Sequence, residues 1–503
     1  MNRLLLALQD RAYNSPSDIV LQGNGVSLSA ADLLEKINGL IEELEKTGAN
    51  TIALYADNSP QWAVVDLACQ FAGICLIPIP TFFSTAQIDH LLCSAGVELL
   101  IFQETLGKSL DAKHCSHLWP MSALDGYSVA VLGPLHTVSR PEHSSKITFT
   151  SGSTGQPKGV CLSVDQCLKV AESLARAIDV VEPRHLCLLP LSTLLENIGG
   201  IYMPLLANGS SVLAAPSELG MMGSSRLSAQ RLLQAIEHFQ PNTMILVPQL
   251  LSVLDTALHT GWCPPRSLAF VAVGGARVAA EMVERVRAKG LPVYEGYGLS
   301  ETASVVSLNT AANNRPGTSG KVLPHVSVAA RCGELEVSGN AFLGYLNQPE
   351  SWGLKTIQTG DVGSIDSDGY VTVEGRSKNI LISSFGRNIS PEWVESELMA
   401  SGLFHQVLVL GDGRPYCVAL LSPGDSELND NDIADGVEAA NRTLPDYARV
   451  MKWLRLDTPL STLDGLLTEN GRPRRDRIAE HFALQVDQLY QKQQQQQQET
   501  IAL

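Results

Sequence analysis

The chain of 503 residues is too long for one ordinary core, so at least two domains are expected. Hydrophobic residues make up 45%, charged residues 17% and aromatics 6%, a composition that excludes a disordered or fibrous protein. The formal charge of −16, from 52 acidic against 36 basic residues, argues against a nucleic-acid partner and obliges any anionic ligand to find local cations.

At the N-terminus, Leu4 to Leu8 form an apolar run too short for a signal peptide. The ten cysteines show no C-x-x-C pair and no metal-ligand spacing. A cytoplasmic protein is expected, with peripheral contact to a membrane left open. Ala63 to Pro80 is apolar but broken by Asp66, Gln70 and two prolines, so it reads as a buried helix and strand rather than a membrane span.

Short β-branched runs then alternate with helical patterns: Thr51 to Tyr55, Trp62 to Phe71, Ile74 to Ile79, Glu98 to Phe102, Thr243 to Val247 and Leu268 to Val273. The expected class is α/β, with mostly parallel sheets flanked by helices in a large N-terminal domain, residues 1–376. Beyond Val362 the texture changes to short strands and tight turns. Asp368-Gly369 separates Ser364 to Asp366 from Tyr370 to Glu374 as a hairpin loop, and a smaller α+β domain is expected over 377–485. Residues 486–503, with six consecutive glutamines at Gln493 to Gln498, are expected to be a disordered tail.

Chemistry concentrates in four segments. After the strand-like Lys146 to Phe149 comes Thr150-Ser151-Gly152-Ser153-Thr154-Gly155-Gln156-Pro157-Lys158-Gly159. Its glycines permit close backbone approach, its hydroxyls donate and Lys158 supplies charge, which together suit a polyphosphate. The spacing is not that of a kinase-type or GTPase-type P-loop. The second segment is Gly274-Gly275-Ala276 with Tyr294-Glu295-Gly296-Tyr297-Gly298-Leu299-Ser300-Glu301-Thr302. An aromatic face beside bare backbone makes a slot for a flat base, and a carboxylate is a usual oxygen ligand of Mg²⁺. The third is Thr359-Gly360-Asp361, followed after the hairpin by Gly375-Arg376-Ser377-Lys378, and the fourth is Asn470-Gly471-Arg472.

In this order, from about residue 10 to about residue 482, these segments resemble the acyl-adenylate-forming superfamily of acyl-CoA synthetases, peptide-synthetase adenylation domains and luciferases. The resemblance implies ATP, Mg²⁺ and coenzyme A as cofactors. It implies that Thr150, Ser151, Gly152, Ser153, Thr154, Gly155 and Lys158 hold phosphates, that Tyr297 and Gly298 with Gly275 and Ala276 enclose adenine, and that Thr302 touches the α-phosphate. Glu301 would hold the metal, Asp361 and Arg376 the ribose, and Lys378 would be the hinge between two domain orientations. Arg472 stands where the family usually has a Lys that bridges substrate carboxylate and α-phosphate. Arg presents a planar fork in place of a point charge.

By the same resemblance Leu189 to Tyr202 occupies the acid-pocket helix, with Thr193, Leu195, Gly199 and Gly200 as lining. No carboxylate in Ser192 to Leu195 could pair a substrate ammonium, which disfavours an α-amino acid. The aliphatic lining is similar to that of fatty acyl-CoA synthetases, although those often carry His and an aromatic at Thr193 and Leu195; the same residues also suit a helix packed in the core. The expected function is ATP-dependent activation of a carboxylic acid, a fatty acid by preference, and its transfer to coenzyme A. The alternatives are delivery to an external acyl carrier protein, and a non-catalytic nucleotide binder.

Overall fold

The computed structural model describes residues 2–110, 115–132, 138–150, 157–222, 226–425, 427–468 and 471–490. Two large sheets carry the N-terminal part. In the first, strands Lys146–Thr150, Cys75–Pro78, Thr51–Tyr55 and Leu99–Gln103 lie side by side in parallel, with antiparallel strands added at both edges. In the second, Val293–Leu299, Phe270–Val273, Thr243–Leu246, Arg184–Leu186, Ser210–Val212 and Ile19–Gly23 run parallel between antiparallel edges. The expected α/β class with mostly parallel sheets is what the structure contains.

Local chemistry sets the helices between these strands. Helix Pro60–Ala72 begins with Pro at its first turn and Ser59 accepting from the Trp62 N–H, and it ends at Gly73, whose φ of 73° closes the C-terminus. It is buried almost along its length, and strand Cys75–Pro78 after it is wholly buried. Among the described residues no helix is long and apolar enough to cross a membrane.

A four-stranded antiparallel sheet follows, made of Ser327–Arg331, Glu334–Ser338, Thr356–Ile365 and Val371–Arg376. Its last hairpin turns at Asp368-Gly369, with Gly369 at φ 84°, where the sequence places it. Register then sets Asp361 directly opposite Arg376, fifteen residues along the chain but neighbours in space. A 3₁₀ turn, Ser377–Asn379, comes next.

From Leu381 onward the chain builds apolar clusters entirely from its own residues. A three-stranded sheet, Phe404–Leu410, Cys417–Pro423 and Val450–Arg455, is covered by helices Pro391–Met399 and Asp430–Thr443. The tail expected from residue 486 needs correction: residues 483–490 are helical, and Val486 and Tyr490 are buried against Leu408, Leu410 and Ile478. Two apolar side chains one helical turn apart supply the contact that the glutamine run lacks. The glutamine run lies outside the described residues.

Candidate active site

Strand Val293–Leu299 delivers Tyr297 and then breaks sharply. A 3₁₀ turn, Ser300–Thr302, leads to Ala303 and Ser304, both at positive φ (58° and 100°), before strand Ser304–Leu308 returns antiparallel. Two consecutive non-glycine residues in that region mark a strained turn held by its surroundings. Gly298 is required there, because a Cβ would stand 1.7 Å from the Ser304 carbonyl oxygen. Gly275, at φ 85°, and Ala276 remain exposed near the same strand end, leaving the bare backbone expected beside a flat base.

Asp361 is the centre of the polar geometry. It is 4% exposed. The Tyr297 hydroxyl donates to its Oδ2 at 2.6 Å, and Arg376 Nε pairs with its Oδ1 at 2.8 Å while Nη1 donates to the Thr359 carbonyl at 3.0 Å. Burial pushes the Asp361 carboxyl above its ordinary range, opposed by Arg376 and by the Tyr297 hydrogen bond. Tyr297 is held well above the ordinary phenol range by burial and then by the Asp361 charge, so it remains a donor.

Glu301 and Lys158 meet through a residue that sequence motifs do not mark. The Tyr345 hydroxyl donates to Glu301 Oε1 at 2.8 Å, and Lys158 Nζ lies 5.4 Å from the centre of the Tyr345 ring. Tyr345 sits on the edge strand Gly344–Tyr345, opposite Val160, and Lys158 pairs in register with Thr150. Only this folded neighbourhood could reveal Tyr345. Glu301 is half-buried, and its Oε2 keeps acceptor capacity of the hard-oxygen kind that suits Mg²⁺. Thr302 corrects an expectation: it is fully buried and its hydroxyl donates to the Leu299 carbonyl at 3.0 Å, so it shapes the turn and presents no open hydroxyl.

Arg472 sits on a tight loop in which Thr468 N–H donates to the Arg472 carbonyl at 2.7 Å and Gly471 takes φ 72°. Arg472 is exposed at the surface, and desolvation first and then the charge of Arg376 push its guanidinium below the usual range, while Asp361 draws it up. The exposed Lys378 is likewise pushed down, by desolvation first and then by Arg376, with Asp476 opposing and Arg472 adding to the push. Arg376 thus acts on the charge of both Lys378 and Arg472, with the carboxylates of Asp476 and Asp361 opposing it. Arg475 pairs with Glu395 at 2.6 Å inside the C-terminal unit.

The structure separates the four residues expected to line an acid pocket. Thr193 and Leu195 keep partial exposure. Gly199 and Gly200 are buried: a Cβ on Gly199 would stand 2.7 Å from Ile245 Cδ1, and one on Gly200 would stand 2.6 Å from Cys187 Sγ. These glycines permit close packing and open no space for a ligand. Sequence reading also passed over the buried cluster beside Gly200, where Glu196 Oε1 accepts from Leu188 N–H at 3.1 Å and lies 3.3 Å from His185 Nε2. The phosphate-loop residues Ser151, Gly152, Ser153, Thr154 and Gly155 lie outside the described residues; Thr150 and Lys158 at its flanks are described.

A buried carboxylate paired with a cation, a half-buried second carboxylate and exposed bare backbone beside an aromatic side chain are an arrangement that suits a nucleotide. The chain belongs to the AMP-binding enzyme family: that family's model matches residues 8–332, and the model of the AMP-binding enzyme C-terminal domain matches 378–494. Among its relatives, a long-chain-fatty-acid–CoA ligase of Mycobacterium bovis is 25% identical over 90% of this chain and 90% of its own length. A feruloyl-CoA synthase of an Amycolatopsis species is 27% identical over 84% of this chain and 89% of its own. An anthranilate CoA ligase solved with anthranoyl-AMP shares the fold at a TM-score of 0.79, with 18% identity, 96% of this chain and 97% of that chain covered.

Proposed function

We propose that this protein activates a carboxylic acid with ATP to an acyl-adenylate and transfers the acyl group to coenzyme A, and that the acid is a fatty acid. One observation carries the adenylating assignment: the buried Asp361 carboxylate is held between the Tyr297 hydroxyl at 2.6 Å and Arg376 Nε at 2.8 Å. Asp361 is an acceptor-only carboxylate fixed from both sides by Tyr297 and Arg376, as holding two ribose hydroxyls requires. The ring of Tyr297, with Gly275 and Ala276, flanks the base. Arg472 then stabilises negative charge growing on the α-phosphate as the carboxylate attacks.

Glu301, its Oε1 oriented by Tyr345, is the residue that fits Mg²⁺. When bound, the ion neutralises charge on the departing pyrophosphate. Lys158 adds a cation at the edge of the phosphate loop. Lys378 serves as the hinge, with a domain boundary near residues 376 and 377.

The fatty-acid preference rests on the aliphatic character of Leu189 to Leu206 and the absence of a carboxylate within Ser192 to Leu195, the neighbouring Glu196 being engaged by Leu188 N–H and His185. A second reading, an aryl acid, is favoured by Ile245 and Cys187 filling the space over Gly199 and Gly200, which shortens that side of the pocket. Acid-dependent pyrophosphate release, screened over fatty, aryl and amino acids with and without coenzyme A, separates these. Turnover with long-chain acids and AMP release supported by coenzyme A alone are expected. Turnover with aryl acids only would replace the fatty-acid reading, and a requirement for a carrier protein would replace the acceptor.

A further inference from the structure

The helical segment 194–206 does not run as one α-helix. Leu194–Asn197 and Met203–Leu206 are α-helical, and Ile198–Tyr202 between them is a π-turn. In an α-helix, residues five apart point about 140° away from one another. The wider π-turn brings such a pair onto one side, and turns of this kind are seldom kept without a local cause.

Here the pair is Asn197 and Tyr202, and the cause is a buried lysine. Lys146 Nζ donates to Asp66 Oδ1 at 2.6 Å, to the Tyr202 hydroxyl at 2.8 Å and to Asn197 Oδ1. Asp66 Oδ2 in turn accepts from the Tyr202 hydroxyl at 2.7 Å and from Asn197 Nδ2 at 3.0 Å. Lys146 is 5% exposed and the other three 1% each. All three donors of the ammonium are used and both carboxylate oxygens are met, so the network is closed and holds one geometry. The next face of the same turn is fixed by Glu196 against Leu188 and His185, and by Ser211 Oγ donating to the Gly200 carbonyl at 2.5 Å. Thr193 and Leu195 are what this rotation leaves half-exposed.

We propose that Lys146 is a positioning residue for acid selection: by clamping Asn197 and Tyr202 across the π-turn it sets the rotation at which Thr193 and Leu195 are presented. This rests on the reading that those two residues meet the acid. Lys146 does not touch substrate. Its backbone is fixed independently by pairing with Leu76 and Leu162, so loosening its side chain should leave the phosphate end of strand Lys146–Thr150 in place.

The test compares Tyr202→Phe, which removes one hydroxyl and keeps the ion pair, with the double variant Lys146→Met and Asp66→Asn, which removes both buried charges together. Lys146→Met alone would strand the Asp66 charge in the core at a large cost in stability, which is why the double variant is used. Leu195→Ala is the direct probe of the pocket. For each folded variant, kcat and the KM values for acid and ATP are measured by acid-dependent pyrophosphate release over a chain-length series. The expected result is an acid KM raised about tenfold or more with an altered order of preference, while kcat and the ATP KM stay within about twofold, the pattern of lost acid binding alone. If Leu195→Ala shifts acid KM but folded Tyr202→Phe and the double variant do not, the proposal fails and the pocket reading stands. Parallel loss in kcat and both KM values with the order of acids unchanged also overturns it, as a purely structural role. An unchanged acid KM in Leu195→Ala overturns the pocket reading and the proposal with it.

Discussion

At the scale of single residues, the site depends on two groups whose loss should be felt differently. Asp361→Ala removes the carboxylate held by Tyr297 and Arg376. With hydrogen bonds to a charged group contributing about 1.5–3 kcal/mol, ATP affinity should fall about 10-fold to 100-fold while circular dichroism stays unchanged. Unaltered ATP affinity in the folded variant would remove Asp361 from the ribose site. Arg472→Ala should slow acid-dependent pyrophosphate release by ~100-fold to ~1000-fold, the usual cost of deleting a group that meets transition-state charge, yet spare thioester formation from supplied acyl-adenylate. Arg472→Lys should retain adenylation. A loss within about twofold for Arg472→Ala would make it a surface residue, since that is far below the expected cost.

At the scale of elements, the strand that carries Tyr297 also contains Glu295, buried beneath it. Burial raises this carboxyl from 4.5 to about 7 against the lowering pull of Arg277 and Ser319. Between those pH values the folded protein binds a proton that the unfolded chain has released, so this group's contribution to stability falls as pH rises from about 4.5 to about 7 and is level above that. The full effect is on the order of 3 kcal/mol. Glu295→Gln should therefore be more stable than the parent at pH 8 and similar to it near pH 5. Denaturant midpoints measured across that range decide it; a pH slope identical in both proteins would show that Glu295 does not titrate as described.

Elements were also what the sequence made most readable. Alternating apolar runs announce the parallel sheets and the Asp368-Gly369 turn announces the hairpin, but the register set by that loop alone would place Asp361 opposite Gly375; an irregularity between Val362 and Gly363 shifts the partner to Arg376. Contacts between distant segments were not readable. Tyr345 stands 44 residues beyond Glu301 with no motif around it, and Lys146 finds Asp66 and Asn197 across separations of 80 and 51 residues. The closing of Thr302 and the packing of Gly199 and Gly200 depend on neighbours supplied by other strands. Spacing along one chain carries no information about them.

At the scale of the whole molecule, the N-terminal part and the C-terminal unit touch at a point far along the chain from Lys378. Arg285 Nη2 donates to Asp255 Oδ2 at 2.6 Å and to the Ala400 carbonyl, at the C-terminal end of helix Pro391–Met399, at 3.0 Å. A cleft of about 430 Å³ opens beside this contact, lined by Asp255, His259, Glu397 and Thr443 among others, away from Asp361. A second domain orientation would have to release Arg285 from Ala400. Lys378→Pro fixes φ in the turn Ser377–Asn379 and should therefore impair one half-reaction far more than the other. Adenylate formation and thioester formation, assayed separately, should diverge; equal loss in both would count against a hinge at Lys378.

Arg376 raises the cost of charge on Lys378 and on Arg472, with Asp476 and Asp361 as the opposing carboxylates. A polyphosphate placed among these cations should add counter-charge and favour their approach. The nucleotide would then be a clasp as well as a reactant. ATP should shield the backbone at 377–380 from limited proteolysis much more than adenosine, which offers base and ribose but no negative charge. Equal shielding by the two would mean that closure follows from the base and sugar alone.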